Sequence, residues 1–313
     1  MKHLLLALAA VAVSAETPAI YQSLPRLLWV VEDSARVAAA WEKAGVPSEA
    51  AGGVRTACFE NIQTHWVQPR AGVGAFGRFL KSRGEGVMAL AYVASSRDDL
   101  ARERARLVAL GVAVLEEGAL NRADRPALTY VVFDTAAAGK VGLALIHDPA
   151  PATCGGRRGP PVTQYALTAR QLDAVSDYWA RLGFPAFAFT QPELTNRKYR
   201  GQSADFGMRL GWQRHLKIPF EWIEPLRGPN VYDDHIARHG EGFHHIAFNV
   251  ADMDQAIARW NALGYGESMS GGWGTPDQPG SGRFAYHDLH AAGGIDIELL
   301  WNYRAPAGKP PAF

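Results

Sequence analysis

The chain has 313 residues, 48% of them apolar, and its 32 Lys and Arg against 31 Asp and Glu leave a formal charge of +1. That is enough apolar mass for two ordinary cores, so two domains are expected. So even a charge balance supplies no field to draw nucleic acid or an anionic membrane, which leaves small molecules as the expected partners.

In chain order, Met1-Lys2-His3, the apolar run Leu4 to Val13 and then Ser14-Ala15 have the three regions of a secretory signal, with cleavage expected after Ala15. The run is shorter than the ~20 residues of a spanning helix. Residues 1–15 are therefore read as a signal peptide, and the mature protein is expected to be periplasmic or secreted, with no membrane attachment. The two cysteines, Cys58 and Cys154, would then sit in an oxidising setting, and the sequence leaves open whether they pair.

Leu24 to Val31 reads as a strand, Glu32-Asp33-Ser34 as a cap, and Ala35 to Ala44 as a helix stopped at Gly45. The same order returns as a strand from Val162 to Ala169 and a helix from Asp173 to Leu182 stopped at Gly183. Trp41, Gly45 and Pro47 then align with Trp179, Gly183 and Pro185 without a gap. Thr64 to Pro69 matches Phe220 to Pro225, and Gly84-Glu85-Gly86 matches Gly240-Glu241-Gly242 at the same offset. Asp134 to Leu145 pairs with Asp288 to Leu299, each with a glycine turn, Gly139 or Gly293. The chain is a tandem duplication joined by a Pro-, Gly- and Arg-rich connector from Pro149 to Pro161.

Each half divides again. A helix ending in a large apolar residue, three more residues and a glycine occurs four times: Trp41 to Gly45, Leu107 to Gly111, Trp179 to Gly183 and Trp260 to Gly264. Four β-α-β-β-β units follow, an α+β fold in which each pair of units curls its sheet around a cavity.

Gly240 to Val250 is a glycine-marked turn running into a strand, where alternation sends His245, Ala247 and Asn249 to one face and His244, Ile246 and Phe248 to the other. His245 then faces a site and His244 faces packing or solvent. Gln164 holds on the first strand of the third unit the place that His245 holds in the fourth. Glu221 and Glu298 hold equivalent places on the last strands of those units. A lone buried glutamate is costly unless paired or bound to a cation, and two together need a cation more. Gln164, Glu221, His245 and Glu298 are therefore read as ligands of one divalent metal ion, Zn, Ni, Co, Mn or Mg. The equivalent positions in the first half are Arg26, His65, Ala89 and Ala144, so that half is expected to bind no metal, with His65 structural or pocket-lining.

With these residues in place, the second half resembles the vicinal oxygen chelate superfamily, which includes glyoxalase I, methylmalonyl-CoA epimerase, extradiol dioxygenases and bleomycin-resistance proteins. Glu221-Trp-Ile-Glu-Pro225-Leu and Gly240-Glu-Gly-Phe-His-His245-Ile-Ala-Phe look like the epimerase and its relatives, and the ordered set Gln164, Glu221, His245, Glu298 looks like the metal set of the eukaryotic type of glyoxalase I. Thr168 and Pro225 depart from the glyoxalase residues that hold glutathione. The resemblance implies a tandem pair of vicinal-oxygen-chelate domains: residues 20–150 a degenerate glyoxalase-like copy without metal ligands, 151–161 a linker, 162–304 the metal-binding copy, and 305–313 an unstructured tail.

The leading expectation is a lyase or isomerase of the glyoxalase or epimerase type, in which Glu298 or Glu221 takes a proton beside a carbonyl through a metal-stabilised enediolate. The alternative is a sequestering protein of the bleomycin-resistance kind, with Trp212, Trp222, Trp273 and Trp301 lining a pocket. An extradiol-type dioxygenase fits less well, because its iron takes two histidines and one carboxylate. Gly271 to Gly282 is read as a lid or a surface hairpin, and Arg197, Lys198 and Arg200 as a solvated cluster or a substrate anchor. The duplication can imitate a dimer, so a monomer is expected.

Overall fold

The computed structural model describes residues 17–122 and 125–304; the expected signal peptide and the tail from Ala305 lie outside the described residues. The first unit runs β1 (Arg26–Val30), α1 (Ser34–Lys43), β2 (Ser48–Ala51), β3 (Val54–Cys58) and β4 (Gln63–Val67). After α2 (Gly74–Arg83) come β5 (Gly86–Val93), α3 (Arg97–Ala109), β6 (Val114–Arg122), β7 (Arg125–Phe133), the one-turn α4 (Ala136–Gly139) and β8 (Gly142–His147). The third unit is β9 (Gln164–Thr168), α5 (Leu172–Arg181), β10 (Ala188–Thr190), an added hairpin β11 (Leu194–Tyr199) and β12 (Gln202–Ser203), β13 (Gly207–Gln213) and β14 (Phe220–Arg227). Then α6 (Val231–His239) leads to β15 (Gly242–Asn249), α7 (Met253–Ala262), β16 (Glu267–Trp273), β17 (Gly282–Leu289) and β18 (Ile295–Asn302).

Two curled mixed sheets result, ordered β2-β3-β4-β1-β5-β8-β7-β6 and β10-β13-β14-β9-β15-β18-β17-β16-β11-β12. In each, the first strands of two units pair antiparallel at the centre (β1 with β5, β9 with β15), and each runs parallel to the last strand of its own unit. Helix starts follow the local chemistry: Asp33 accepts from Ala35 and Arg36, and Asp252 from Gln255. In the second sheet only three residues, 191–193, join β10 at one edge to β11 near the other. Three residues span on the order of 10 Å, so the sheet is drawn almost into a closed barrel.

The helix-covered faces of both sheets meet in a single apolar core that contains Trp29, Trp41 and Trp66 of the first half with Tyr165, Trp179 and Trp222 of the second. The two halves exchange equivalent bonds. Trp41 Nε1 donates to the Ala292 carbonyl (3.0 Å), and Trp179 Nε1 to the Gly139 carbonyl (3.1 Å). Glycine is required at these turns, because a Cβ on Gly139 would stand 2.9 Å from the Trp179 ring and one on Gly293 2.8 Å from Trp29. Trp222 lies in this core, stacked on Phe187 at 5.1 Å, and not in a pocket as expected. Alternation explains it: Glu221 takes the inner face and leaves Trp222 the outer one.

The connector is pinned to the first half. Cys58 and Cys154 form a disulfide across 96 residues, Glu49 accepts from the backbone of Thr153 and Cys154, and Phe59 bridges to Gly159. The Gly271–Gly282 stretch is shorter than a lid: Gly271 to Trp273 belong to β16, and a turn spans 274–281. Arg197 pairs with Asp205 and Arg200 with Asp234, which spends two of the three basic side chains considered as a substrate anchor.

Candidate metal centre

Four strands build the site. Across β14, β9, β15 and β18, Glu221 lies opposite Ala166, Ala166 opposite His245, and His245 opposite Asp296. One step along, Gln164 lies opposite Ala247 and Ala247 opposite Glu298. In both rows an alanine, fully buried, separates the polar side chains, so a floor of methyl groups leaves room above it. The first half repeats this register with other residues: Arg26 opposite Ala91 opposite Ala144, and His65 opposite Leu28 opposite Ala89.

The four side chains converge. Gln164 Nε2 donates to Glu221 Oε2 at 2.7 Å and approaches Glu298 Oε2 at 3.3 Å, while His245 Nε2 lies 3.2 Å from Glu298 Oε2 and 3.9 Å from Glu221 Oε2. Glu221, His245 and Glu298 each place one donor atom within 4.8 Å of the others'. All four are at least nine-tenths buried. Burial, and then the neighbouring Glu298, push the Glu221 carboxyl well above the usual range; burial pushes Glu298 up to about 8 and His245 down to about 3. Two carboxyls that resist ionising together, beside an imidazole held neutral, are the donor set that a divalent cation satisfies. An amide flip turns the Gln164 oxygen inward at no steric cost, since the two ends of the amide are nearly the same shape. These residues fit a metal ion.

His244 does not face away. The ladder between β15 and β9 slips by one residue between Phe243 and His245, so His244 is the extra residue of a bulge and turns to the same side as its neighbour. Its Nδ1 lies 2.8 Å from His245 Nδ1, and its Nε2 3.4 Å from Asp296 Oδ2. It therefore stands behind His245 and orients it, paired with Asp296 and not with Glu221 or Glu298.

Above the floor opens a cavity of about 420 Å³, with Trp212, Trp273, Phe284 and Tyr286 among its walls and Arg214 at its edge. Trp301 is only partly buried and lines a different cavity. Met208, Leu210 and Arg214 line the site with Trp212 at a period of two, an alternation that the sequence also carries. Nothing local announced the bulge at His244.

In the first half a guanidinium stands at the corresponding place. Arg26 takes the place of Gln164, lies 3.2 Å from His65 Nε2 and pairs with Asp148 at 2.5 Å; Arg122 pairs with the same carboxylate. Burial, with Arg26 next, holds His65 at about 3. Burial raises the Asp148 carboxyl, but the two guanidiniums more than offset it and hold it below the usual range.

Residues 163–286 match the Glyoxalase/Bleomycin resistance protein/Dioxygenase superfamily. A 91-residue stretch is 36% identical to the 4-hydroxyphenylpyruvate dioxygenase of Dictyostelium discoideum; it covers 28% of this chain and 22% of that protein, so the chain spans about a fifth of the curated relative's length. Among solved structures, a triple mutant of 4-hydroxymandelate synthase from Streptomyces coelicolor superposes with a TM-score of 0.61 at 17% identity, covering 91% of this chain and 95% of that one. A fusion of a xylose isomerase-like TIM barrel with 4-hydroxyphenylpyruvate dioxygenase gives 0.51 at 15% identity, covering 94% and 50%. At these identities the structural likeness is one of fold.

Proposed function

Since residues 163–286 match the superfamily of glyoxalases, bleomycin-resistance proteins and dioxygenases, we propose that the second sheet holds one divalent metal ion on Gln164, Glu221, His245 and Glu298 and catalyses proton transfer beside a carbonyl. The observation that carries this reading is the donor set: one imidazole, two carboxylates and an amide gathered over an alanine floor. A bound divalent ion supplies Lewis-acid polarisation of substrate oxygens, which makes the neighbouring C–H acidic. Glu221 and Glu298 stand on opposite sides of the β9–β15 pair. They flank the reacting carbon, so that one removes the proton and the other returns it. Arg214, whose guanidinium lies 4.6 Å from the Trp212 ring, suits a substrate carboxylate, and the aromatic walls suit an apolar or aromatic body. Export to an oxidising compartment belongs to the same reading and is supported by the Cys58–Cys154 bond.

A dioxygenase is the second reading, favoured by the relative and the structural neighbour named above. Against it, non-haem iron oxygenases use two histidines and one carboxylate, whereas an amide stands at Gln164 and His244 is held behind His245. One experiment separates them. The protein, loaded in turn with Zn²⁺, Mn²⁺ and Fe²⁺, is given 2-hydroxy-carbonyl compounds and 2-oxo acids with aromatic groups in deuterated water. Deuterium entering the substrate without oxygen uptake supports proton transfer; oxygen uptake with Fe²⁺ alone overturns it in favour of the dioxygenase.

A further inference from the structure

A second group of imidazoles lies beyond His244, at the end of the same inner face. Helix α6 presents His235 and His239 one turn apart, and the short turn after β17 brings His290 beside them. Ring centres are 5.0 Å apart for His235 and His239, 5.0 Å for His239 and His290, and 6.1 Å for His235 and His290. One nitrogen from each lies within 4.8 Å of the others.

Outer partners fix which nitrogens are free. His239 Nδ1 donates to the Arg83 carbonyl at 2.7 Å and His290 Nδ1 to Asp288 Oδ1 at 2.6 Å, which leaves the lone pair of each ring on Nε2. Both Nε2 atoms are buried without a hydrogen-bond partner, and so is Nδ1 of His235, a residue only 4% exposed. Buried polar atoms of this kind are seldom left unpaired. Asp296 adds a buried Oδ1 without a hydrogen-bond partner, 3.5 Å from His290 Nδ1. Arg200 and Arg238 oppose a cation in the cavity that His290 lines, but Asp234, Glu267, Asp288 and Asp296 line it too and outnumber them, while Arg83 shares the small cavity of His235 and His239.

We propose that His235, His239 and His290 form a second metal site, for Zn²⁺ or another divalent ion that prefers imidazole, with water as fourth ligand and the Asp296 carboxylate beside the outer edge of the His290 ring. Tetrahedral zinc with bonds of ~2.1 Å sets its ligand atoms roughly 3.4 Å apart, so nitrogens that lie within 4.8 Å of one another close by at most about 1.4 Å on binding. The site is structural. It ties α6 to the β17–β18 turn and, through the Arg83 carbonyl, to the last residue of α2 in the first half. His244 stands between it and the first centre, its ring 4.9 Å from His235 and 5.0 Å from His245.

The test uses the full chain, stripped with chelator and titrated with Zn²⁺ by calorimetry, then with Co²⁺ to read the tetrahedral visible spectrum. Wild type should bind two equivalents. His290→Gln and His239→Gln should each weaken one of them by at least about tenfold while the other persists. His245→Ala should lose the other equivalent and keep this one, together with a Zn²⁺-dependent rise in thermal midpoint that disappears in His245→Ala/His290→Gln. His235 is too buried to be the primary variant, whereas the His290 side chain is 17% exposed. A single equivalent in wild type, abolished by His245→Ala and unaffected by His290→Gln and His239→Gln, overturns the second site and leaves the first intact. The reverse pattern removes the first and keeps the second.

Discussion

Glu298 is the residue on which acid–base behaviour turns. In the metal-free protein its carboxyl is held at about 8 by burial, against an ordinary 4.5. The folded chain then keeps a proton that the unfolded chain releases, so the stability tied to this group is full below about pH 4.5 and is lost as pH rises through 8. Thermal midpoints of chelated wild type minus those of Glu298→Gln should fall across that window; a flat difference would mean that the carboxyl is not held protonated. Metal affinity should rise over the same range, because both carboxylates must ionise to act as ligands. With an identified substrate, Glu221→Gln and Glu298→Gln should each lower kcat by about 10²–10⁴-fold, and full turnover in both would sink the proton-transfer reading. The types and strand places of these residues were legible in the sequence. The direction of His244 was not, because one extra residue in a ladder reverses every side chain before it, and no local pattern marks where the slip falls.

Among the elements, the central strands do the most with the least. Ala166 and Ala247 are the only residues between the polar side chains in their rows, and their small size is what makes a site of a sheet surface. Ala166→Leu should fill the floor, remove the equivalent of metal that His245→Ala removes and cost about 1–3 kcal/mol by overpacking, with the tryptophan core on the opposite face unchanged in near-ultraviolet dichroism. Alternation within a strand is visible in one dimension and puts Ala247 on the face of His245, but the row of four is set by pairing between strands far apart in sequence, so the role of the alanines is not legible there. The connector shows the converse. Its composition read as a linker, yet the Cys58–Cys154 bond closes a loop of 96 residues, worth roughly 4–5 kcal/mol by chain entropy. Cys58→Ser with Cys154→Ser should lower the denaturation midpoint accordingly, with metal binding retained.

At the scale of the molecule, the two halves do not stand as separate cores. The tandem repeat, its four units and their glycine stops were readable because duplication leaves residues at a constant offset. That the halves meet through their tryptophans was not, since an apolar helix face does not say which sheet it covers. Gly139→Ala presses a methyl group into Trp179 and should lower the midpoint of the whole chain in one cooperative transition; loss of the second half alone would show that the halves unfold independently. The charges inside the first half carry a last consequence, for how that half can change. Asp148 is wholly buried and shared by Arg26 and Arg122, with His65 against the same guanidinium. Placing a neutral ligand at position 26 removes part of that carboxylate's neutralising charge, and acids at 89 or 144 would enter an apolar cluster. Each single substitution toward the donor set of the second half is therefore expected to lower stability, so the asymmetry between the twins works as a ratchet: the first copy can vary as a scaffold but cannot acquire that donor set one substitution at a time.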